Sequence, residues 1–272
     1  MSIDDDKFSY EEFNLIREFS KKTLGLYFAD NKKVLIYSRL RNRVNELKLN
    51  SFSDYYKYLI NDKTGKELIH FTNKLTTNYT YFMRENSHFS FLIDRILPEL
   101  ESKGVKTFKI WSAGCSTGEE PYVMAMYLEK YFRGKAVAID FTATDISEEV
   151  LDIAKKGIYP KDKLVSIPDE FLKNHFIKLD DEKYIVSDKI KRMIKFKKVN
   201  LISDSFSTFR SAHVIFCRNV IIYFDNKTKE TLIEKFYHTN SVGGYFVISR
   251  SESLNNISSN YKLITPSIYK KD

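Results

Sequence analysis

The sequence predicts an α/β chain in two parts, a helical N-terminal segment followed by strands and helices in alternation. Three observations predict it. From about residue 8 to 75, apolar residues recur at helical spacing between short polar turns. From about residue 106, short apolar runs alternate with helical patterns, which implies a parallel sheet with right-handed crossovers. Residues 171–199, "FLKNHFIKLDDEKYIVSDKIKRMIKFKKV", interrupt that alternation and read as a short antiparallel insertion, with Asp180 and Asp181 as a turn between two strands. The expected boundaries are a helical domain over 1–76 and a larger domain over 77–272.

Each element follows from its pattern. "YEEFNLIREFSKKTLGLYF" places Phe13, Ile16 and Phe19 on one helical face, and "SFSDYYKYLI" offers Ser53 as a cap before an aromatic, aliphatic helix. Between them, Ile36, Leu40, Val44 and Leu47 form an apolar stripe. Arg39 and Arg43 flank one edge of it, and Arg41 and Lys48 the other. That rim is either a solvated face or a docking surface for an acidic partner. "TFKIWSAG" is a buried strand, Glu120 to Phe132 a helix, and "AVAIDFTATD" the next strand. "SEEVLDIAKKG" is a helix capped by Ser147 and ended by Gly157. "MIKFKKVNL", "AHVIFCRN" and "GGYFVISRSE" supply further strands, with a helix from about Asn226 to His238.

Composition removes several classes. No stretch approaches the ~18–20 consecutive apolar residues of a membrane span. The start, "MSIDDDKFSY", is acidic where a secretory signal is basic and then apolar, so a cytoplasmic location is expected. Cys115 and Cys217 suggest no disulfide framework, and the five histidines lack metal-ligand spacing. No metal is expected. The balance of 44 Lys and Arg against 36 Asp and Glu, a net +8, favours an anionic partner.

The turn "WSAGCSTGEEP", between a strand and a helix, has the small residues of a nucleotide site but carries Glu119 and Glu120 at the helix mouth. A helix N-terminus attracts phosphate through its free N–H groups and dipole, and two carboxylates there would repel it. Nor is there the lysine of a G-x-x-x-x-G-K-[ST] loop. The ligand expected is a cationic nucleoside without phosphate, S-adenosylmethionine, whose α-ammonium a carboxylate can hold. Asp145, at the end of the next strand, is placed to accept ribose hydroxyls. The alternative for the two glutamates is ordinary helix-start decoration.

Three more polar clusters accompany it: Asn78, Thr80 and Arg84 in "TTNYTYFMRE"; Arg218, Asn219 and Tyr223 in "CRNVIIYFD"; and Asn200 and Leu201 in "VNLISD", where an amide and an apolar face could hold adenine. All are expected at the carboxyl ends of sheet strands. The chain has no Asp/Asn-Pro-Pro-aromatic tetrapeptide and no Pro-Cys pair, which disfavours base methylation. Arginines near the reactive methyl suit an anionic acceptor such as a carboxylate.

"LTTNYTYFMRENSHF", "WSAGCSTGEEPY", "TATDISEEVLDIAKKGIY", "VNL", "VIFCRNVIIYF" and "GGYFVISRSESL" resemble, in order and spacing, the motifs of the chemotaxis receptor methyltransferases, the CheR family. The resemblance covers nearly the whole chain. It implies a Rossmann-like class I SAM-dependent methyltransferase domain, a small all-α N-terminal domain and a short antiparallel β-subdomain insertion. By position it implies cofactor contacts at Asn78, Thr80, Arg84, Glu120, Asp145, Asn200, Leu201, Arg218 and Asn219, and roles near the transferred methyl for Arg84 and Tyr223. Glu120 is preferred to Glu119 from the motif, while residue chemistry leaves both open. Tyr79 falls at a variable place, and Met83 replaces a common phenylalanine.

The activity so implied is methylation of receptor glutamates, giving methyl esters and S-adenosylhomocysteine. The implied partners are receptor methylation helices, docked through Arg39, Arg41 and Arg43 and through the β-subdomain. Nucleic acid and membrane insertion are not expected, and a monomer is. A nucleic-acid methyltransferase and a silent adaptor that binds S-adenosylhomocysteine are the rivals.

Overall fold

The computed structural model describes residues 8–272. It forms two compact units. One is the chain up to Thr77 with Ile222–Thr228, and the other is Asn78–Ile221 with Lys229–Asp272.

The smaller unit packs α1 (Tyr10–Leu24), α2 (Lys33–Glu46), α3 (Phe52–Asn61) and α4 (Lys66–Leu75). Ser9 starts α1 with a capping box: its hydroxyl accepts the Glu12 N–H at 3.1 Å, and the Glu12 carboxylate accepts the Ser9 N–H at 2.9 Å. Gly25, at φ 74°, ends it. The cap of α3 is Ser51 and not Ser53. Ser51 keeps extended backbone and accepts the Asp54 N–H at 3.0 Å, whereas Ser53 already lies inside the helix. Phe13, Ile16, Ile36, Leu40, Val44, Tyr55 and Phe71 are buried together as the apolar spacing requires.

The larger unit begins with loops and the short helices α5 (Ser87–Phe91) and α6 (Leu97–Ser102), joined by a π-type turn over Leu92–Ile96. Next come β1 (Thr107–Ala113), α7 (Glu119–Phe132), β2 (Ala138–Asp145), α8 (Glu148–Lys156), β3 (Ile158–Pro160), α9 (Asp169–His175), β4 (Phe176–Lys178), β5 (Lys183–Val186), α10 (Asp188–Lys191) and β6 (Ile194–Lys198). β7 (Ala212–Phe216), α11 (Asn226–Thr239), β8 (Asn240–Val247), β9 (Lys262–Thr265) and β10 (Ile268–Lys270) complete the chain.

The main sheet has the order β6-β2-β1-β7-β8-β10-β9. The first five strands run parallel, and β10 and β9 are antiparallel additions at one edge. The chain winds outward from β1 through β2 to β6, then returns to the other side of β1 with β7. That reversal opens a crevice beyond the carboxyl ends of β1 and β7. Below it the core closes around Phe108, Ile110, Phe141, Val214 and Phe216.

The small antiparallel sheet, in the order β3-β5-β4, turns at Asp180 and Asp181. Its limits differ from the expected 171–199. β3 joins it from upstream, whereas β6 pairs with β2 in the main sheet. The lysines of "IKFKK" mark β6 as an edge strand: Lys195 pairs with Asp140 at 2.8 Å and Lys198 with Glu148 at 2.9 Å. Among the described residues no helix is long and apolar enough to cross a membrane.

Candidate functional site

The turn after β1 is anchored to the neighbouring strand. The Gly114 and Cys115 N–H groups both donate to the Thr144 carbonyl, at 2.8 and 2.9 Å. Gly114 has φ 87°, and a Cβ there would meet the Val220 side chain at 2.3 Å, so no other residue fits. Tyr159, on β3, donates its hydroxyl to the Thr117 carbonyl at 2.6 Å and braces the turn from the small sheet.

Asp145 ends β2 beside that turn. Its carboxylate accepts the Ser116 N–H at 2.8 Å and the Ser147 N–H at 3.0 Å, while Ser147 also caps α8. Burial pushes the Asp145 carboxyl up, against the pull of these N–H bonds.

Glu119 and Glu120 face different ways. Glu119 is fully buried and is held by the Thr117 hydroxyl at 2.6 Å and the Lys163 ammonium at 2.7 Å. Glu120 accepts the Ser112 hydroxyl at 2.7 Å and Arg218 Nη1 at 3.1 Å. Burial raises the Glu120 pKa, opposed by Arg218, Ser112 and Arg84. Both carboxylates border the turn, Glu119 through the Thr117 hydroxyl, but their partners differ. A local lysine neutralises Glu119, and only Glu120 joins the polar cluster.

Arg218, just past β7, is the hub of that cluster. Its guanidinium donates to Glu120, to the Arg84 carbonyl at 2.5 Å and to Glu85 at 3.3 Å, and lies 5.4 Å from the Phe89 ring centre. Its Nε–H is buried without a partner. Burial opposes ionisation of Glu85, yet the Ser249 hydroxyl, Arg218, His88 and the Arg250 N–H hold its pKa below the usual range. His88 is buried beside them, with Nε2 2.7 Å from Ser267 Oγ. Burial, with Arg218 and Arg250, lowers its pKa to about 4.

Asn219 takes left-handed backbone, φ 59°, because one carboxylate, Glu252, accepts both its N–H at 3.0 Å and that of Ser249 at 2.8 Å. The Asn219 amide donates to Ser249 Oγ at 2.8 Å, and Ser249 passes the chain on to Glu85 at 2.7 Å. Glu85, Ser249 and Glu252 were not singled out from sequence. The available signal was position: Glu85 directly follows Arg84 in "FMRE", while Ser249 and Glu252 lie in "SRSE", within a motif that carried no named site residue.

The segment 78–86 is not at a strand end, as expected for all the clusters, but precedes the sheet as turns and irregular chain. It reaches the site through its backbone: the Asn78 carbonyl accepts the Ser116 hydroxyl at 3.0 Å, and the Arg84 carbonyl accepts Arg218. Met83 and Glu85 have φ 64° and 50°, and Ser116 has φ 49°. Such left-handed backbone at three non-glycine positions concentrates strain in this cluster. Thr80 and Arg84 are half-buried in the same segment. Beyond β6, Asn200 accepts the Ile202 N–H at 3.0 Å, with Leu201 buried beside it. The Val199 N–H donates to the Asp145 carbonyl at 3.0 Å, which brings this loop to the end of β2.

Tyr223 ends the turn Ile221–Tyr223 and groups with the smaller unit, where its carbonyl accepts the Tyr27 N–H at 2.8 Å. Two arginines of the basic rim in that unit are already engaged. Arg39 donates to the Leu75 carbonyl at 2.6 Å and the Thr77 hydroxyl at 2.8 Å. Arg43 pairs with buried Glu67 at 2.6 Å. Arg41 is exposed.

Two family models match the chain: the all-alpha domain of CheR methyltransferase over residues 11–76, and the SAM binding domain of CheR methyltransferase over residues 78–269. A chemotaxis protein methyltransferase of Borreliella burgdorferi is 38% identical over 96% of this chain and 94% of its own length. Chemotaxis protein methyltransferase 2 of Pseudomonas aeruginosa is 33% identical over 96% and 93%. A Vibrio cholerae protein of that same name is 32% identical over 91% and 87%. The chain belongs to the CheR methyltransferase family, and S-adenosylmethionine is the cofactor of its larger domain.

Proposed function

We propose that the chain methylates glutamate side-chain carboxylates of chemotaxis receptors, producing glutamyl methyl esters. The observation that carries this reading is that Arg84 belongs to the Glu120 cluster: its carbonyl accepts the Arg218 guanidinium that also holds Glu120, and its own guanidinium is half-buried beside them. It stands in a chain whose relatives are named chemotaxis protein methyltransferases. A cation beside the cofactor end suits an acceptor that is itself an anion.

The residues present fit the cofactor. Glu120 is a carboxylate for its α-ammonium, Arg218 has an unpartnered buried N–H beside it, and Asp145 is an acceptor for the ribose hydroxyls. Asn200, Leu201, Asn219, Asn78 and Thr80 complete the proposed set. Bound there, the cofactor supplies a methyl group activated by a sulfonium.

The chain's own share is mainly placement. An acceptor glutamate, with pKa about 4.3, is ionised at neutral pH and needs no general base. Arg84 orients that carboxylate, and Tyr223 donates a hydrogen bond or packs beside the methyl. Orientation of this kind can supply roughly 7–11 kcal/mol. Arg84 must not grip too tightly, since the acceptor's charge falls as transfer proceeds and a tight ion pair would stabilise the ground state. In the smaller unit, exposed Arg41 is the member of the basic rim best placed to attract an acidic receptor helix.

The test is incubation with radiolabelled S-adenosylmethionine and a chemoreceptor cytoplasmic fragment, followed by mild alkali. Label released as methanol is expected. Label that stays bound through alkali, or label on nucleic acid, would reject the reading.

A further inference from the structure

The segment that carries Arg84 also carries two tyrosines that no packing requirement explains. Tyr79 is 74% exposed and Tyr81 43%, so neither ring is there to fill the core. Their ring centres lie 5.8 Å apart, and the Arg84 guanidinium carbon is 5.8 Å from the Tyr79 ring centre and 5.6 Å from that of Tyr81. Both are within the roughly 6 Å over which a cation is attracted to a ring face. Arg84 Nη1 also donates to the Tyr79 carbonyl at 2.9 Å.

We propose that Tyr79 and Tyr81 are positioning residues that hold the Arg84 guanidinium in the pose from which it orients the acceptor carboxylate. This rests on the reading of Arg84 given above. A ring face attracts a guanidinium without consuming its N–H donors. Of the five donors, one is committed to the Tyr79 carbonyl and the rest stay available for an incoming carboxylate. A half-buried arginine on a flexible stem would otherwise sample many rotamers. The rings fix the pose, and sharing the charge with them tempers the grip on the acceptor.

Two measurements test this on the full chain. The first is steady-state methylation of a receptor fragment at saturating S-adenosylmethionine, for wild type, a Y79F/Y81F double variant and a Y79A/Y81A double variant. Loss of both rings is expected to lower kcat roughly 5- to 30-fold. The acceptor KM should move by less than about twofold, and the phenylalanine pair should keep wild-type turnover. A raised KM with kcat kept would mean that the rings touch the acceptor and would overturn the proposal. So would equal losses in the two double variants.

The second is the NMR shift of the Arg84 side-chain protons. Ring-current displacement is expected in wild type and in Y79F/Y81F and should vanish in Y79A/Y81A. Its absence in wild type overturns the proposal whether or not the chain turns over. A wild-type chain with the displacement but no alkali-labile ester would reject the receptor reading while the clamp stands.

Discussion

Arg218 donates to Glu120 at 3.1 Å across 98 positions of sequence, joining the end of β7 to the first turn of α7. The same guanidinium reaches Glu85 at 3.3 Å, so one buried cation serves two carboxylates. Replacing it by an unbranched apolar residue leaves both acids with their hydroxyl partners but without the buried cation between them. Arg218→Met should therefore cost about 3–5 kcal/mol of stability, read by denaturant unfolding. Adding Glu120→Gln should restore part of that. An Arg218→Met chain as stable as wild type would show that the cluster contributes nothing to the fold.

The two adjacent glutamates should separate cleanly. Glu120→Gln keeps shape and removes charge, and should weaken S-adenosylmethionine binding roughly 10- to 100-fold, the worth of a charge-assisted hydrogen bond. Glu119→Gln loses its pair with Lys163, whose side chain is 40% exposed, so solvent screening limits the stability loss to about 1 kcal/mol. Its cofactor affinity should stay at the wild-type value. Calorimetric titration of both variants decides, and reversed effects would move the cofactor contact to Glu119.

Lys235 holds the loop that carries Asn200 and Leu201. Its ammonium donates to the carbonyls of Leu201, Ile202 and Asp204 at 2.8, 3.2 and 3.0 Å, and lies 4.2 Å from the Phe206 ring centre. Lys235→Met should loosen that loop and raise the cofactor Kd roughly tenfold. Turnover at saturating cofactor should change less than about twofold. An unchanged Kd would mean that the loop keeps its shape without the pin.

His88 supplies an acid-sensitive element. Its pKa is lowered from 6.5 to about 4 by burial, then by Arg218, so the folded state favours the neutral ring. The unfolded chain binds the proton first. The stability this contributes is complete above pH 6.5 and is lost as pH falls toward 4. The swing is about 3 kcal/mol. Glu99 and Glu129, held near 2 by their lysine and arginine partners against burial, lose their contributions lower, below about pH 4.5. His88→Gln should lessen the fall in melting temperature between pH 6.5 and 4, leaving the share of His70, His175 and His213, whose pKa values burial also lowers, and the lower descent intact. A slope preserved in the variant would assign it elsewhere.

The arginines of α2 should differ in kind. Arg43→Glu would leave Glu67, 2% exposed, facing a like charge and strip a partner from the Tyr55–Glu67 bond. The smaller unit should lose about 3 kcal/mol or more. Arg41→Glu should leave stability within ±0.5 kcal/mol. It should slow receptor methylation at low salt and converge on wild type as salt rises. No effect at any salt would remove Arg41 from the docking surface.

Period and punctuation were enough to read most of the architecture. Alternation of apolar runs with capped helices marked the parallel sheet, and Ser147 with Gly157 delimited α8, because these signals are local and each residue's role depends on its immediate neighbours. Asp145 and the Glu119–Glu120 pair stood out beside the glycine turn for the same reason, and only the family resemblance preferred Glu120. Tertiary placement decided the rest. Glu119 and Glu120 are adjacent and chemically identical, and they differ only because Lys163 approaches one and Arg218 the other. Arg39 and Arg43 looked like a free basic rim on a helical wheel, since a wheel does not show the Leu75 carbonyl or Glu67 that consume them. Glu85, Ser249 and Glu252 stayed silent in sequence because a polar residue in a turn looks alike whether it faces water or an arginine. Charge pairing across 98 positions is a property of how the sheet winds back on β1, and only the folded chain brings those partners within hydrogen-bond reach.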